Sequence, residues 1–143
     1  MIVVDRNVAS ELMRPAPEAR VVAWVRAQDN NELYTTSITV AEIAYGIERL
    51  PDGDRRALLR ATATQVFSAF ADHVLPFDAE AAGLYGTIVS ARERDGAPID
   101  GFDAQIAAIC RHHSATLATR NVKDFDQTGI DVVDPWREGA EPS

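Results

Sequence analysis

Cysteine occurs once in the 143 residues, histidine three times and lysine once. A single cysteine, Cys110, excludes an internal disulfide framework, and a reducing, cytoplasmic setting is expected. With only His73, His112 and His113 beside it, a structural zinc site is not expected. No apolar run is long enough to cross a bilayer, and Met1-Ile2-Val3-Val4-Asp5 lacks the basic start of a secretory signal. Positive charge is also scarce. Fourteen Lys and Arg stand against 22 Asp and Glu, a formal net charge of -8. That balance argues against broad binding to a phosphate backbone. What remains is ordinary globular composition, 46% hydrophobic and 25% charged. The length suits one domain spanning residues 1–143 with a core of its own, and a polar, frayed tail is expected over 138–143.

Hydrophobic periodicity alternates strands with helices. Ile2-Val3-Val4 is apolar throughout, as in a strand covered on both faces. A short helix is expected from Asn7 or Val8 to about Met13, ended by Pro15. Pro17 suits the first turn of the next helix, which carries Val21, Val22, Trp24 and Val25. Leu33–Thr36 reads as a strand. Thr39 to about Arg49 reads as a helix with Ile43 and Ile47 on one face. Pro51-Asp52-Gly53-Asp54 is a turn, and a helix follows to about Ala71. His73–Phe77 reads as a strand, and Asp78 caps a helix running to about Arg94. Ile99–His113 is helical, Thr116–Thr119 a strand and Ile130–Val133 a last edge strand. This alternation predicts an α/β fold with a mostly parallel sheet, whose ligands bind beyond the carboxyl ends of the strands.

Several acids fall at that edge. Asp5 follows the first strand, where it also suits a helix cap. Glu42 lies in Thr39-Val40-Ala41-Glu42, the spacing of a capping box, so it suits its own helix start as readily as a site. Asp103 precedes Ile106, Ala107 and Cys110 on the apolar face of its helix. A carboxylate there needs a polar partner, a metal or a raised pKa. Asp100 reads as the ordinary N-terminal acid of that helix. Asn121 and Asp124 follow the fourth strand, where turn chemistry also favours both residue types. Converging carboxylates repel unless a cation lies between them, and oxygen donors suit Mg²⁺ or Mn²⁺ rather than zinc.

Ile2-Val3-Val4-Asp5-Arg6-Asn7-Val8-Ala9-Ser10-Glu11, Thr39-Val40-Ala41-Glu42, Pro98 through Ala108 and Leu117-Ala118-Thr119-Arg120-Asn121 occur in an order that resembles the PIN-domain toxins of the VapBC toxin–antitoxin type. Asp134-Pro135-Trp136 is similar to the family's Asn-Pro-Trp ending. The resemblance covers nearly the whole chain. It implies a three-layer α/β/α sandwich, a Mg²⁺-dependent endoribonuclease (with Mn²⁺ as a substitute) and a cognate VapB-type antitoxin. It further implies an RNA substrate, a homodimer, and contact with promoter DNA only through the antitoxin. Asp5, Glu42 and Asp103 match the family's metal-site acids, with Asp5 and Asp103 as the direct ligands. Asn121 falls where some members carry an acid, and Asp124 supplies a carboxylate just after it. The products implied are a 5′-phosphate and a 3′-hydroxyl; a carboxylate not fully engaged by metal, Glu42 by preference, can accept the water's proton.

One position departs from the pattern. The family reads Asp-Thr-Asn or Asp-Ser-Asn at the first motif, and this chain reads Asp5-Arg6-Asn7. Arg6 can turn to solvent or a rim acid, compete with the metal for the carboxylates, or hold a substrate phosphate. Arg14, Arg120 and Lys123 are further candidates for flanking phosphates, or a solvated rim. Two alternatives stand beside the nuclease. One is a weakened PIN module that mainly binds an antitoxin. The other is a haloacid-dehalogenase-type phosphatase, which requires an Asp two places after the first, where this chain has Asn7. The histidines show no ligand pattern, Cys110 suits the core, and Trp24 and Trp136 read as packing anchors.

Overall fold

Ile2–Val4 (β1) has no polar face, and a computed structural model, which describes residues 1–138, buries it accordingly. Val3 and Val4 are wholly inaccessible and point into two different cores. β1 pairs in parallel with Leu33–Thr36 (β2) on one side and Thr116–Ala118 (β4) on the other. Val74–Leu75 (β3) extends the sheet beyond β2, and Asp131–Val133 (β5) extends it beyond β4. The order is β3-β2-β1-β4-β5, all parallel. Val4, Ala118 and Val133 are in register, so β1, β4 and β5 end together. Strand order reverses at β1, which makes the crevice beside its carboxyl end the natural binding position.

Seven helices accompany these strands among the described residues: Arg6–Leu12 (α1), Ala19–Ala27 (α2), Ser37–Glu48 (α3), Asp54–Ser68 (α4), Ala79–Arg94 (α5), Gly101–His112 (α6) and Pro135–Glu138 (α7). One core lies between the sheet and α5 and α6, around Val3, Leu117, Ile88, Ile106 and Ile109. The other joins Val4, Ala118 and Leu33 to Val8, Val21, Trp24 and Phe70. A third cluster, Ile43, Ile47 and Ala63, holds α3 to α4. Each fully buried Ile or Leu contributes about 1.5–3 kcal/mol to holding the helices on the sheet. The expected three-layer α/β/α arrangement is therefore present.

Several boundaries differ from the sequence expectation. α3 begins at Ser37, because the Thr36 hydroxyl accepts from the Thr39 amide at 3.0 Å and caps the helix earlier. Glu42 consequently sits in the second turn and takes no part in capping. α2 begins at Ala19, so Pro17 precedes the helix instead of lying in its first turn. α6 begins at Gly101, with Asp100 as its cap. β3 keeps only two of the five residues expected. Asp78 does cap α5, accepting from the Ala81 amide at 3.0 Å. The expected frayed tail lies outside the described residues from position 139 onward, and Glu138 closes α7. No helix among the described residues is long and apolar enough to cross a membrane.

Candidate active site

The end of β1 delivers Asp5 into a cleft of about 260 Å³. Its backbone amide donates to the Ala118 carbonyl at 3.2 Å, which pins the turn to β4. Its Oδ1 accepts from the Val8 amide at 3.1 Å, so the residue caps α1 as well as facing the cleft. Asp5 is only 6% exposed. Burial pushes its carboxyl above the ordinary range, opposed by hydrogen bonds from the Thr119 hydroxyl and the Val8 and Asn7 amides and by the Arg6 charge.

Four further acids reach the same cleft: Glu42 from α3, Asp100 and Asp103 from the start of α6, and Asp124 from the 3₁₀ turn Val122–Phe125. Asn121 lines it beside Asp124, its amide donating to Thr119 Oγ1 at 3.1 Å. Glu42 is raised by burial and by Asp5 and Asp100, and is drawn down by Arg6. Asp103 is pushed up to about 6, first by burial and then by Asp100, Asp124, Glu42 and Asp5. Burial and, after it, mutual repulsion hold these acids up, and a cation in the cleft would relieve both. Asp103 shares its helix face with Ile106, Ala107 and Cys110, all buried, as its position in the sequence predicted. Asp100 caps α6 as expected and also lines the cleft, a second role that its cap position concealed.

Arg6 is the one cation among the residues lining the cleft. Its Nη1 stands 3.6 Å from Glu42 Oε2, so it neither turns wholly to solvent nor leaves the acids alone. The other three basic candidates do not line the cleft. Arg14 pairs with Glu11 at 3.3 Å and borders a neighbouring apolar groove. Arg120 lies over the Trp136 ring at 5.1 Å, and Lys123 is exposed on the 3₁₀ turn. His112 faces Glu80 at 3.2 Å, remote from these acids in the structure, and Trp24 and Cys110 are core residues.

Among the described residues no three His, Cys, Asp or Glu side chains are close enough together to enclose an ion unaided. The donors lining the cleft still fit a hard cation. They are all oxygens or amides, and Mg²⁺ is commonly held by one or two carboxylates with water completing its shell.

The raised Asp103 carboxyl has a consequence for the metal-free protein. Its usual value is 3.8, and in the fold it titrates at about 6. The folded state thus retains a proton that the unfolded chain gives up. This carboxyl favours folding below about pH 4, and that contribution is lost as pH rises through about 6. Asp103→Asn is expected to raise metal-free stability near pH 7.5 by about 1–2 kcal/mol after allowance for solvent screening. Thermal unfolding with a chelator between pH 4 and 8 checks this, and an unchanged pH profile in the variant contradicts it.

A parallel five-stranded sheet with an acidic cleft at its switch point defines the class of this small α/β protein. The PIN domain family matches residues 2–130, and the chain belongs to that family, grouping with its VapC and FitB toxins. It is 38% identical over 137 residues to the VapC ribonuclease Y4jK of Sinorhizobium fredii, covering 95% of this chain and 98% of that protein. It is 37% identical over 139 residues to the toxin FitB of Neisseria gonorrhoeae, covering 96% and 100%. The solved structure of FitAB bound to an IR36 DNA fragment matches with a TM-score of 0.88 at 38% identity, covering 95% of this chain and 96% of that one. The phosphatase alternative gains no support from these relatives, and Asn7 lines the cleft where that chemistry requires an acid.

Proposed function

We propose that this protein is a Mg²⁺-dependent endoribonuclease and the toxin of a type II toxin–antitoxin pair. The convergence of five carboxylates on the switch-point cleft is the observation that carries the reading. Asp5 and Asp103 would hold the ion directly, with Glu42 beside them and Asn121 and Asp124 completing the rim. Bound Mg²⁺ (or Mn²⁺) would supply an activated water and offset charge developing at phosphorus. The chain's own groups do the rest. Asp5 stays rigid because it caps α1. Glu42 Oε2 accepts the proton of the attacking water, and its contact with Arg6 decides how basic it is. The -8 charge is then a smaller obstacle, since the ion would offset part of the cleft's negative charge. The test is cleavage of structured RNA across Mg²⁺ and Mn²⁺ concentrations. Cleavage that survives excess chelator sinks the metal reading. A weakened, mainly antitoxin-binding module is the second reading, favoured by Arg6 alone, and an RNA left intact at every metal concentration would select it.

The antitoxin finds support in the FitAB complex, in which the relative sits with its partner on DNA. On that reading, DNA contact by this chain is indirect. A groove beside the cleft offers the landing surface. It is lined by Met13, Ile43, Ile47 and Leu59, leaves Tyr45 and Leu58 largely exposed, and shares Arg6 and Glu42 with the acidic cleft. Leu58→Glu is expected to weaken antitoxin binding about fivefold, the loss of one partly buried apolar contact. Titration calorimetry with the co-encoded antitoxin checks this, and unchanged affinity removes the groove from the interface.

A further inference from the structure

Arg92 is a buried cation with no carboxylate partner. It is 7% exposed, near the end of α5, and makes no ion pair among the described residues. Its Nε and Nη1 are both bonded to backbone carbonyls. Nε donates to Ala97 at 2.7 Å, and Nη1 donates to Asp124 at 3.0 Å and Asp126 at 2.9 Å. The Ala97 amide returns a bond to the Arg92 carbonyl at 2.9 Å. A charge buried without a counter-ion is costly, so its retention needs a reason.

The two segments it joins are two of the four that bring acids to the cleft. Ala97 lies three residues before Asp100, the cap of α6, and six before Asp103. Asp124 and Asp126 belong to the 3₁₀ turn after β4 and its exit. Arg92 also borders a small pocket of about 130 Å³ with Asp100, Asp103 and Asp124, directly behind the cleft. Asp103 and Asp124 repel one another, and neither flanking segment is a strand of the sheet. Something must hold them at a fixed separation. A rigid, planar fork with several N–H groups does so where the single point charge of a lysine would not.

We propose that Arg92 is a positioning residue. It clamps the segment leading into α6 to the turn carrying Asp124, and so sets the spacing between Asp103, which would hold the metal, and Asp124 on the rim of the site. The metal half of this inference rests on the function proposed above. The clamp itself does not.

The experiment compares wild type with Arg92→Lys, Arg92→Gln and Ile88→Val. Ile88 is a buried α5 residue one turn earlier, so its shortened variant lowers stability without touching the clamp. Mn²⁺ binding is read by electron paramagnetic resonance, with no RNA present. Amide hydrogen exchange is followed over 95–103 and 121–128, and thermal unfolding ranks the variants by stability. The expected result is Mn²⁺ affinity about tenfold weaker in Arg92→Lys, in line with loss of a residue supporting metal ligands. Arg92→Gln is expected to bind weaker still, with faster exchange confined to the two segments. Ile88→Val is expected to bind Mn²⁺ as wild type does. Equal Mn²⁺ affinity in Arg92→Lys and wild type overturns the positioning role, as does an equal loss in Ile88→Val. Unchanged exchange in both segments overturns the clamp, with or without metal. Absence of Mn²⁺ binding in wild type instead overturns the metal reading, and exchange then decides the clamp alone.

Discussion

Asp5→Asn and Asp103→Asn are each expected to lower RNA cleavage about a thousandfold, roughly 4 kcal/mol of lost transition-state stabilisation. The asparagine variants are chosen because they keep side-chain shape, and because Asp5 does structural work as well. Asp5 Oδ1 caps α1 through the Val8 amide, and an asparagine oxygen accepts that bond nearly as well as the carboxylate. Asp5→Ala would confound loss of the cap, about 1 kcal/mol, with loss of chemistry. Both acids are held above their ordinary pKa by burial, so removing their charge relieves the metal-free fold. Activity and stability should therefore move in opposite directions, a pattern that general unfolding cannot produce. Single-turnover cleavage assays and melting curves on the same preparations check it. Cleavage persisting in both variants would indicate a contaminating nuclease and remove these acids from the mechanism.

Arg6→Thr is expected to lower the Mg²⁺ concentration at half-maximal cleavage about tenfold, the change that removing a unit charge near a divalent ion produces at a partly exposed site. Arg6 Nη1 is 3.6 Å from Glu42 Oε2, and its side chain is about half exposed. Its field lowers both Asp5 and Glu42, which is the stabilisation that an incoming ion must replace. Threonine places a small hydroxyl at this position and adds a hydrogen-bond acceptor where the guanidinium has none. Equal midpoints in the two proteins would end the competition hypothesis. A variant with an unchanged midpoint but a raised KM for RNA would select phosphate holding instead.

Composition and periodicity were enough to place most of the fold. An unbroken apolar run such as Ile2–Val4 has few homes other than a strand covered on both faces. Asp78 and Asp100 announce helix starts because a short side chain must serve the orphan amides. Asp103 was legible for a related reason: a carboxylate in register with Ile106, Ala107 and Cys110 conflicts with its surroundings. Glu42 was harder, because a capping-box spacing imitates a structural role. Only the capping of α3 by Thr36 in place of Thr39 shows that it takes no part in the cap. Asp100 was readable as a cap and not as a cleft residue, since a cap motif carries no information about what lies beyond the helix end.

Arg92 left no sequence signal at all. An arginine near the end of an amphipathic helix is ordinarily solvated, and its acceptors are carbonyls 5, 32 and 34 residues away. Backbone carbonyls have no residue-type signature. The same blindness affected Arg14, Arg120 and Lys123, placed near the edge by chain position but directed elsewhere by Glu11, by the Trp136 ring and by solvent. Local physics, meaning periodicity, capping and the misfit of a lone carboxylate on an apolar face, thus settles which elements form and which acids are out of place. Side-chain direction depends on contacts between segments far apart in the chain. Those contacts, made only when α5, α6 and the turn after β4 pack together, decide that five carboxylates share one cleft and that a buried arginine stands behind them.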